Sequence, residues 1–311
     1  GYNWSQSWYD WHLTVSHANG KDVLYTGLID LAMSTDGGAT WINAGRSYFG
    51  DARTHNDQHG GTIDPSNPNR LIFGNDGGIS ELVYNPADGT TAIKGLSKTL
   101  GVTQFYDADW HPTDADMMLG GTQDNATPVS LSDLENWENV GGGDGFQVWI
   151  NPIDPKIQYT TIYSNTVIKT INGWQTQFDI SPRLNDPTPF VTPVEGDPNV
   201  TNVVYTGNAW LHRYDGTSWS LKLGGQMLGA SSSDFITAIK IPVGDSNTIY
   251  VATGQGRLWR SGDRGATWTS IRANLPNRAI TSIDINPTNK NDILVGFSGL
   301  GGGHLYRTQD A

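Results

Sequence analysis

The sequence predicts an all-β fold: one seven-bladed β-propeller of four-stranded antiparallel blades, filling residues 1–311 as a single domain. Three observations predict it. First, a polar turn rich in Pro, Asn and Asp is followed seven times by a short apolar strand ending in small residues, at 16–27, 64–74, 111–120, 151–161, 196–207, 242–254 and 286–299. Second, the closing positions Gly27, Gly74, Gly120, Thr160, Gly207, Gly254 and Gly296 recur at intervals of 47, 46, 40, 47, 47 and 42 residues. A period in the forties built of short strands and turns signals one four-stranded blade per repeat. Third, the last repeat stops at Ala311 after three strands, while Tyr2-Asn3-Trp4-Ser5-Gln6-Ser7-Trp8 reads as the missing fourth. Pairing residues 1–8 with the last blade closes the ring and removes its exposed edges.

Each blade reads as four strands. In the first they fall at 11–17, 23–27, 31–36 and 40–45; in the sixth, at 235–241, 248–254, 257–263 and 267–273. The third strand of each ends in a hairpin, Ser34-Thr35-Asp36-Gly37-Gly38-Ala39-Thr40-Trp41 and Ser261-Gly262-Asp263-Arg264-Gly265-Ala266-Thr267-Trp268. Here Asp can accept from backbone N–H groups, Gly takes positive φ, and Trp packs beneath the turn. Weaker versions surround Trp137, Trp174 and Trp219.

This S-x-D-x-G-x-T-W pattern resembles the Asp-box, or bacterial neuraminidase repeat, of sialidases, xyloglucanase-type glycoside hydrolases and sortilin-like receptors. The segment from His55 to Ile79, with GGTQDN and GGGDGF after it, resembles secreted bacterial Asp-box proteins described as glycosyl-hydrolase-like. The resemblance implies a propeller and an extracellular setting. It implies a structural role for the hairpins, which lie on the outer edge of such blades. A sialidase is disfavoured, because the F/Y-R-I-P motif and the arginine triad of that family have no counterpart here.

Composition bounds the partners. The chain carries 31 acidic and 19 basic residues, a net charge of −12, which repels phosphate backbones and argues against nucleic acid. No apolar run reaches the 18 residues that a membrane helix needs, so no membrane insertion is expected. There is no Cys, which excludes disulfides and thiolate metal sites. A Cys-free, acidic β-protein fits a secreted or cell-surface bacterial product. A start at Gly1 is expected of a mature product or of a segment of a longer parent protein with further domains.

In a propeller, the loops before the first strand and after the second meet at one face around the axis. Candidate residues collect there. His55, Asp57, His59, Asp76, Asp124 and Asp144 are the acid–base candidates for attack on a glycosidic bond. Asp30, Gln123, Asn125, Asn208, Gln255, Arg257, Tyr9 and Tyr106 are the ligand-binding candidates, since amides, carboxylates and aromatic faces suit sugars. His55-x-Asp57-x-His59, if extended, turns three side chains to one face and suits a divalent metal or an oriented base. The oxygen set Asp76, Asp124, Asn125 and Asp144 predicts a Ca²⁺-type site.

Three functions stay open at this point. The chain is a carbohydrate-recognising module with a glycan or polysaccharide partner; or a polysaccharide-active hydrolase or lyase; or a scaffold for other proteins. Trp8, Trp11, Phe105, Trp149 and Trp210 join Tyr9 and Tyr106 as the aromatics expected near the axial strands.

Overall fold

A computed structural model describes residues 6–18, 20–131 and 133–311. The chain is all-β, with seven successive antiparallel sheets, and falls into two compact units, residues 1–103 and 104–311. The seven-bladed fold class read from the repeats is therefore the fold observed.

The first unit holds two blades. Blade one is β1 (His12–Ala18), β2 (Lys21–Gly27), β3 (Leu31–Ser34) and β4 (Ile42–Asn43), hydrogen-bonded in that order. Blade two is β5 (Gln58–Asp64), β6 (Asn67–Asn75), β7 (Gly78–Asn85) and β8 (Thr90–Gly95). One core joins them: Val23, Tyr25, Leu31 and Met33 pack against Leu71, Phe73 and Leu82. Strand β1 turns its polar residues inward. Thr14 Oγ1 donates to the Gly61 carbonyl at 3.1 Å, Ser16 Oγ donates to the Pro68 carbonyl, and His12 is buried. Its alternate residues Leu13 and Val15, and Trp11 just before it, are exposed. Gly27 sits opposite His12 in the β1–β2 register, and the space a Cβ would take there is filled by the His12 ring and Gln58.

The second unit holds five blades. Blade three is β9 (Asp107–Trp110), β10 (Met118–Gly121), β11 (Thr127–Ser130) and β12 (Trp137–Val140). Blade four is β13 (Val148–Ile150), β14 (Gln158–Ile162), β15 (Thr166–Thr170) and β16 (Phe178–Asp179); blade five is β17 (Val194–Gly196), β18 (Val204–Gly207), β19 (Leu211–Tyr214) and β20 (Trp219–Ser220). Blade six is β21 (Ile236–Lys240), β22 (Ile249–Thr253), β23 (Leu258–Ser261) and β24 (Thr269–Ser270); blade seven is β25 (Ile280–Ile285), β26 (Ile293–Phe297) and β27 (Leu305–Thr308). Each neighbouring pair of blades in this unit shares one apolar cluster. Burial is thus supplied blade by blade, as in other repeat architectures. Tyr159, Tyr205 and Tyr250, each in the second strand of its blade, are fully buried within these clusters.

First strands in this unit stand side by side, bridged by side chains. Asp107 Oδ2 accepts from Val148 N–H and Asp109 Oδ2 from Ile150 N–H, linking β9 to β13. Gln147 Oε1 accepts from Val194 N–H, Lys240 Nζ donates to Glu195 Oε1, and Thr237 Oγ1 donates to the Ile280 carbonyl.

The fourth strands are shorter than the sequence predicts. β4, β16, β20 and β24 have two residues each. In blade one the chain leaves the sheet at Arg46, which takes a φ of +56° and gives its N–H to Asn43 Oδ1. Very short edge strands resist pairing with other chains. The two S-x-D-x-G-x-T-W hairpins are closed as their chemistry predicts. Asp36 accepts from Thr40 N–H at 2.8 Å and Asp263 from Thr267 N–H at 2.9 Å, while Ser34 and Ser261 accept from Gly38 and Gly265 N–H. Threonine hydroxyls donating to these carboxylates hold both at about pKa 2.

Blade seven has three strands, as expected. Of residues 1–8, expected to pair with it, 1–5 lie outside the described residues, and 6–8 belong to a turn, not a strand, closed by Tyr9 N–H on the Gln6 carbonyl at 2.7 Å.

Candidate functional site

The first unit gathers three carboxylates at the entry to its two blades: Asp10, Asp57 and Asp76. Asp10 ends the turn that begins at Gln6, whose carbonyl accepts its N–H at 3.1 Å. Asp57 lies just before β5, in a segment pinned to the 28–30 loop by Asp57 N–H on Ile29 and Gln58 N–H on Leu28. Asp76 sits in the tight β6–β7 turn, which Asn75 caps by accepting Gly77 N–H on its Oδ1.

Their environments differ. Asp10 is 1% exposed, and no hydrogen-bond donor among the described residues satisfies either of its carboxylate oxygens. Its close neighbour is the Asp57 carboxyl, also an acceptor, so the approach is a hydrogen bond only if one of the two holds a proton. Burial raises the pKa of Asp10. Burial, followed by the Asp10 contact, pushes Asp57 up to about 6, against the pull of the Asn56 amide. Asp76 is better supplied: the Tyr9 hydroxyl lies 3.3 Å from both of its oxygens, and His59 Nε2 bonds to Oδ1. The Tyr9 and His59 rings meet edge to face, 4.8 Å between centroids. Asp57 and Asp76 each bring one carboxylate oxygen within 4.8 Å of the other's.

The extended His55-x-Asp57-x-His59 face expected from the sequence is interrupted. Asp57 takes a φ of +58°, which breaks the alternation of a strand. His59 goes to Asp76, whereas the His55 ring lies over Gly77 and its Nδ1 is 3.3 Å from the Asn56 carbonyl. Asp30 is engaged by its own loop: it accepts from Leu31 N–H, Asn43 Nδ2, and both the N–H and hydroxyl of Ser47.

In the second unit, Gln123, Asp124, Asn125 and Asp144 belong to two interlocked glycine loops. Asp144 Oδ1 accepts from Asp124 N–H at 2.9 Å, and Ala126 bridges Asp144. Gly121 and Gly145 admit no side chain, because the backbones of Phe146 and Ala126 fill the space. The Tyr106 hydroxyl donates to Gln123 Oε1 at 2.5 Å, with its ring edge-on to Phe146. Asn208 is fully buried and turns its Oδ1 to Trp210 N–H and His212. Gln255 lines a cleft of about 310 Å³ with Pro189, Val191, Ser233 and Thr237. Beneath it, buried Asp234 accepts from Gln255 N–H, and Arg257 Nε lies 4.0 Å away. Trp149 is a core residue packed on Gly196, and Trp210 lies under the Lys222 ammonium.

Two groups escaped the sequence reading. Asp10 is one; it sits in no motif. The other is the inner-strand set Asp107, Asp109, Glu195 and Lys240 of the second unit. Burial pushes Glu195 up to about 7, against Lys240 Nζ at 2.8 Å. Burial also works against the Lys240 ammonium, but Glu195, Asp109 and Asp107 outweigh it and raise its pKa. The available signal was a charged residue placed inside an otherwise apolar first strand, with Asp107 and Asp109 sharing one face two residues apart.

No protein-family model and no curated protein matches the chain. Among solved structures, a GH74 xyloglucanase from Xanthomonas campestris is similar at a TM-score of 0.54 and 12% identity, over 97% of this chain and 54% of that one. A GH74 enzyme from Niastella koreensis is similar at 0.52 and 15% identity, over 96% of this chain and 52% of its own. This chain spans about half the length of those enzymes, and at such identities the likeness is one of fold.

Proposed function

We propose that this chain is an extracellular, glycan-recognising propeller segment of a larger carbohydrate-active protein. The observation that carries the reading is the edge of the first unit. There Trp8 (83% exposed) and Tyr9 (45% exposed) stand with ring centroids 5.7 Å apart, and the Tyr9 hydroxyl reaches the Asp76 carboxylate. An exposed aromatic face stacks on the apolar face of a sugar ring, and an adjacent carboxylate accepts from its hydroxyls. The fold likeness to two GH74 enzymes, the Asp-box resemblance of the hairpins and the acidic, Cys-free composition support the setting.

A hydrolytic reading of the same edge has one observation in its favour: two carboxyl groups, Asp57 and Asp76, close enough to flank a bond. One experiment addresses both. Soluble β-glucans, xyloglucan and xylan are screened by affinity electrophoresis, with chromatography of each mixture for released oligosaccharides. Retardation that Trp8→Ala weakens at least tenfold, with no products, supports recognition. Products lost in Asp57→Asn and Asp76→Asn support hydrolysis. Retardation that is absent, or unchanged in Trp8→Ala, sinks the recognition reading.

A further inference from the structure

We propose that Asp10, Asp57 and Asp76 hold one hard divalent cation, of the Ca²⁺ type, in the first unit. This set shares only Asp76 with the Asp76, Asp124, Asn125 and Asp144 set expected from the sequence, and it does not depend on the glycan reading. A buried carboxylate is ordinarily matched by donors or by a cation, because taking the charge out of water is costly. Asp10 is 1% exposed, and among the described residues both of its oxygens lack a donor. The group it faces, Asp57, is itself 5% exposed and can supply only acceptor oxygens while ionised. Two carboxylates buried together in this way call for a positive charge between them.

The geometry suits an ion. Oxygens bound to one Ca²⁺ at about 2.3–2.6 Å lie no more than about 5 Å apart, and the Asp57 and Asp76 oxygens are within 4.8 Å. Asp76 is already oriented by Tyr9 and by His59. Ligating carboxylates are ordinarily oriented by outer-shell hydrogen bonds of this kind. All the proposed ligand atoms are carboxylate oxygens, the preference of a hard cation, and three of them leave the filled site with a single negative charge. Backbone carbonyls and water complete the shell.

The alternative is a proton shared between Asp10 and Asp57, and the test separates the two. Chelator-treated full-length chain is titrated with Ca²⁺ by calorimetry in the absence of any glycan. The expected result is one ion per chain, with binding weakened at least tenfold by Asp10→Asn and by Asp76→Asn and unchanged by Asp144→Asn. Circular dichroism checks that each variant folds. If Asp10→Asn does not, Asp57→Asn takes its place beside Asp76→Asn. No heat from Ca²⁺ or from Mn²⁺ overturns the proposal in favour of the shared proton. Binding kept in the folded Asp10→Asn, or lost only in Asp144→Asn, overturns it as well.

Discussion

The two units each hold a set of three carboxylates, Asp10, Asp57 and Asp76 at strand ends in the first and half-buried Asp107, Asp109 and Glu195 on inner strands in the second, and the two sets are matched differently. In the second unit, Asp107 and Asp109 accept backbone N–H groups from the next blade, and Glu195 has the Lys240 ammonium at 2.8 Å. In the first unit, Asp76 has Tyr9 and His59, but Asp10 has no donor among the described residues and faces another acceptor. The difference separates a network of matched acceptors that ties blades together from a pair of acceptors that face each other. Acidic residues alone would not have made that distinction; the count of donors around them does.

Four changes break or sharpen the contrast. The largest effect is expected from pH. Glu195 is raised from 4.5 to about 7 in the folded chain, so the folded state keeps a proton that the unfolded chain has lost across that window. Stability therefore falls as pH rises from 4.5 to 7, by roughly 3 kcal/mol from this group. Urea unfolding as a function of pH should show that fall, and Glu195→Gln should flatten it; an unchanged slope removes Glu195 from the account.

Next comes Lys240→Met, which leaves Glu195, Asp107 and Asp109 without their cation. Breaking a buried pair costs about 3–5 kcal/mol, and the Lys240 side chain keeps 39% exposure, so about 2 kcal/mol is expected after solvent screening. Urea midpoints at pH 8 measure it, and the loss should shrink at pH 5, where Glu195 is protonated.

The opposite sign is expected for Asp10→Asn in the presence of chelator. Removing a buried, donorless charge should leave stability unchanged or raise it by about 1 kcal/mol. A loss of similar size to that of Lys240→Met would show that Asp10 belongs to a satisfied network after all.

The smallest effect is Asp144→Asn. It weakens one acceptor for Asp124 N–H and should cost about 1 kcal/mol or less, with the Ca²⁺ response of melting intact.

Much of this was legible in the sequence. The period in the forties, the hairpin side-chain bonds at Asp36 and Asp263, and the three-stranded last blade follow from local chemistry, which a sequence carries directly. Asp57, His59 and Asp76 were legible as candidates because they sit in glycine-rich loops at strand ends. Their partner Asp10 was not. It lies between Tyr9 and Trp11 with no spacing signal, and it meets Asp57 only because two blades of the unit pack together. The left-handed turn at Asp57, which parts His55 from His59, is likewise set by the 28–30 loop it leans on. Glu195 and Lys240 lie 45 positions apart and are joined by blade stacking, a distance no local pattern reports.

An anomalous difference map from crystals soaked in Mn²⁺, read at both carboxylate groups, decides between the two roles. One peak bounded by Asp10, Asp57 and Asp76 is expected, and none at Asp107, Asp109 and Glu195. A peak at the second group, or no peak at the first with Asp10 and Asp57 in direct contact, would contradict it.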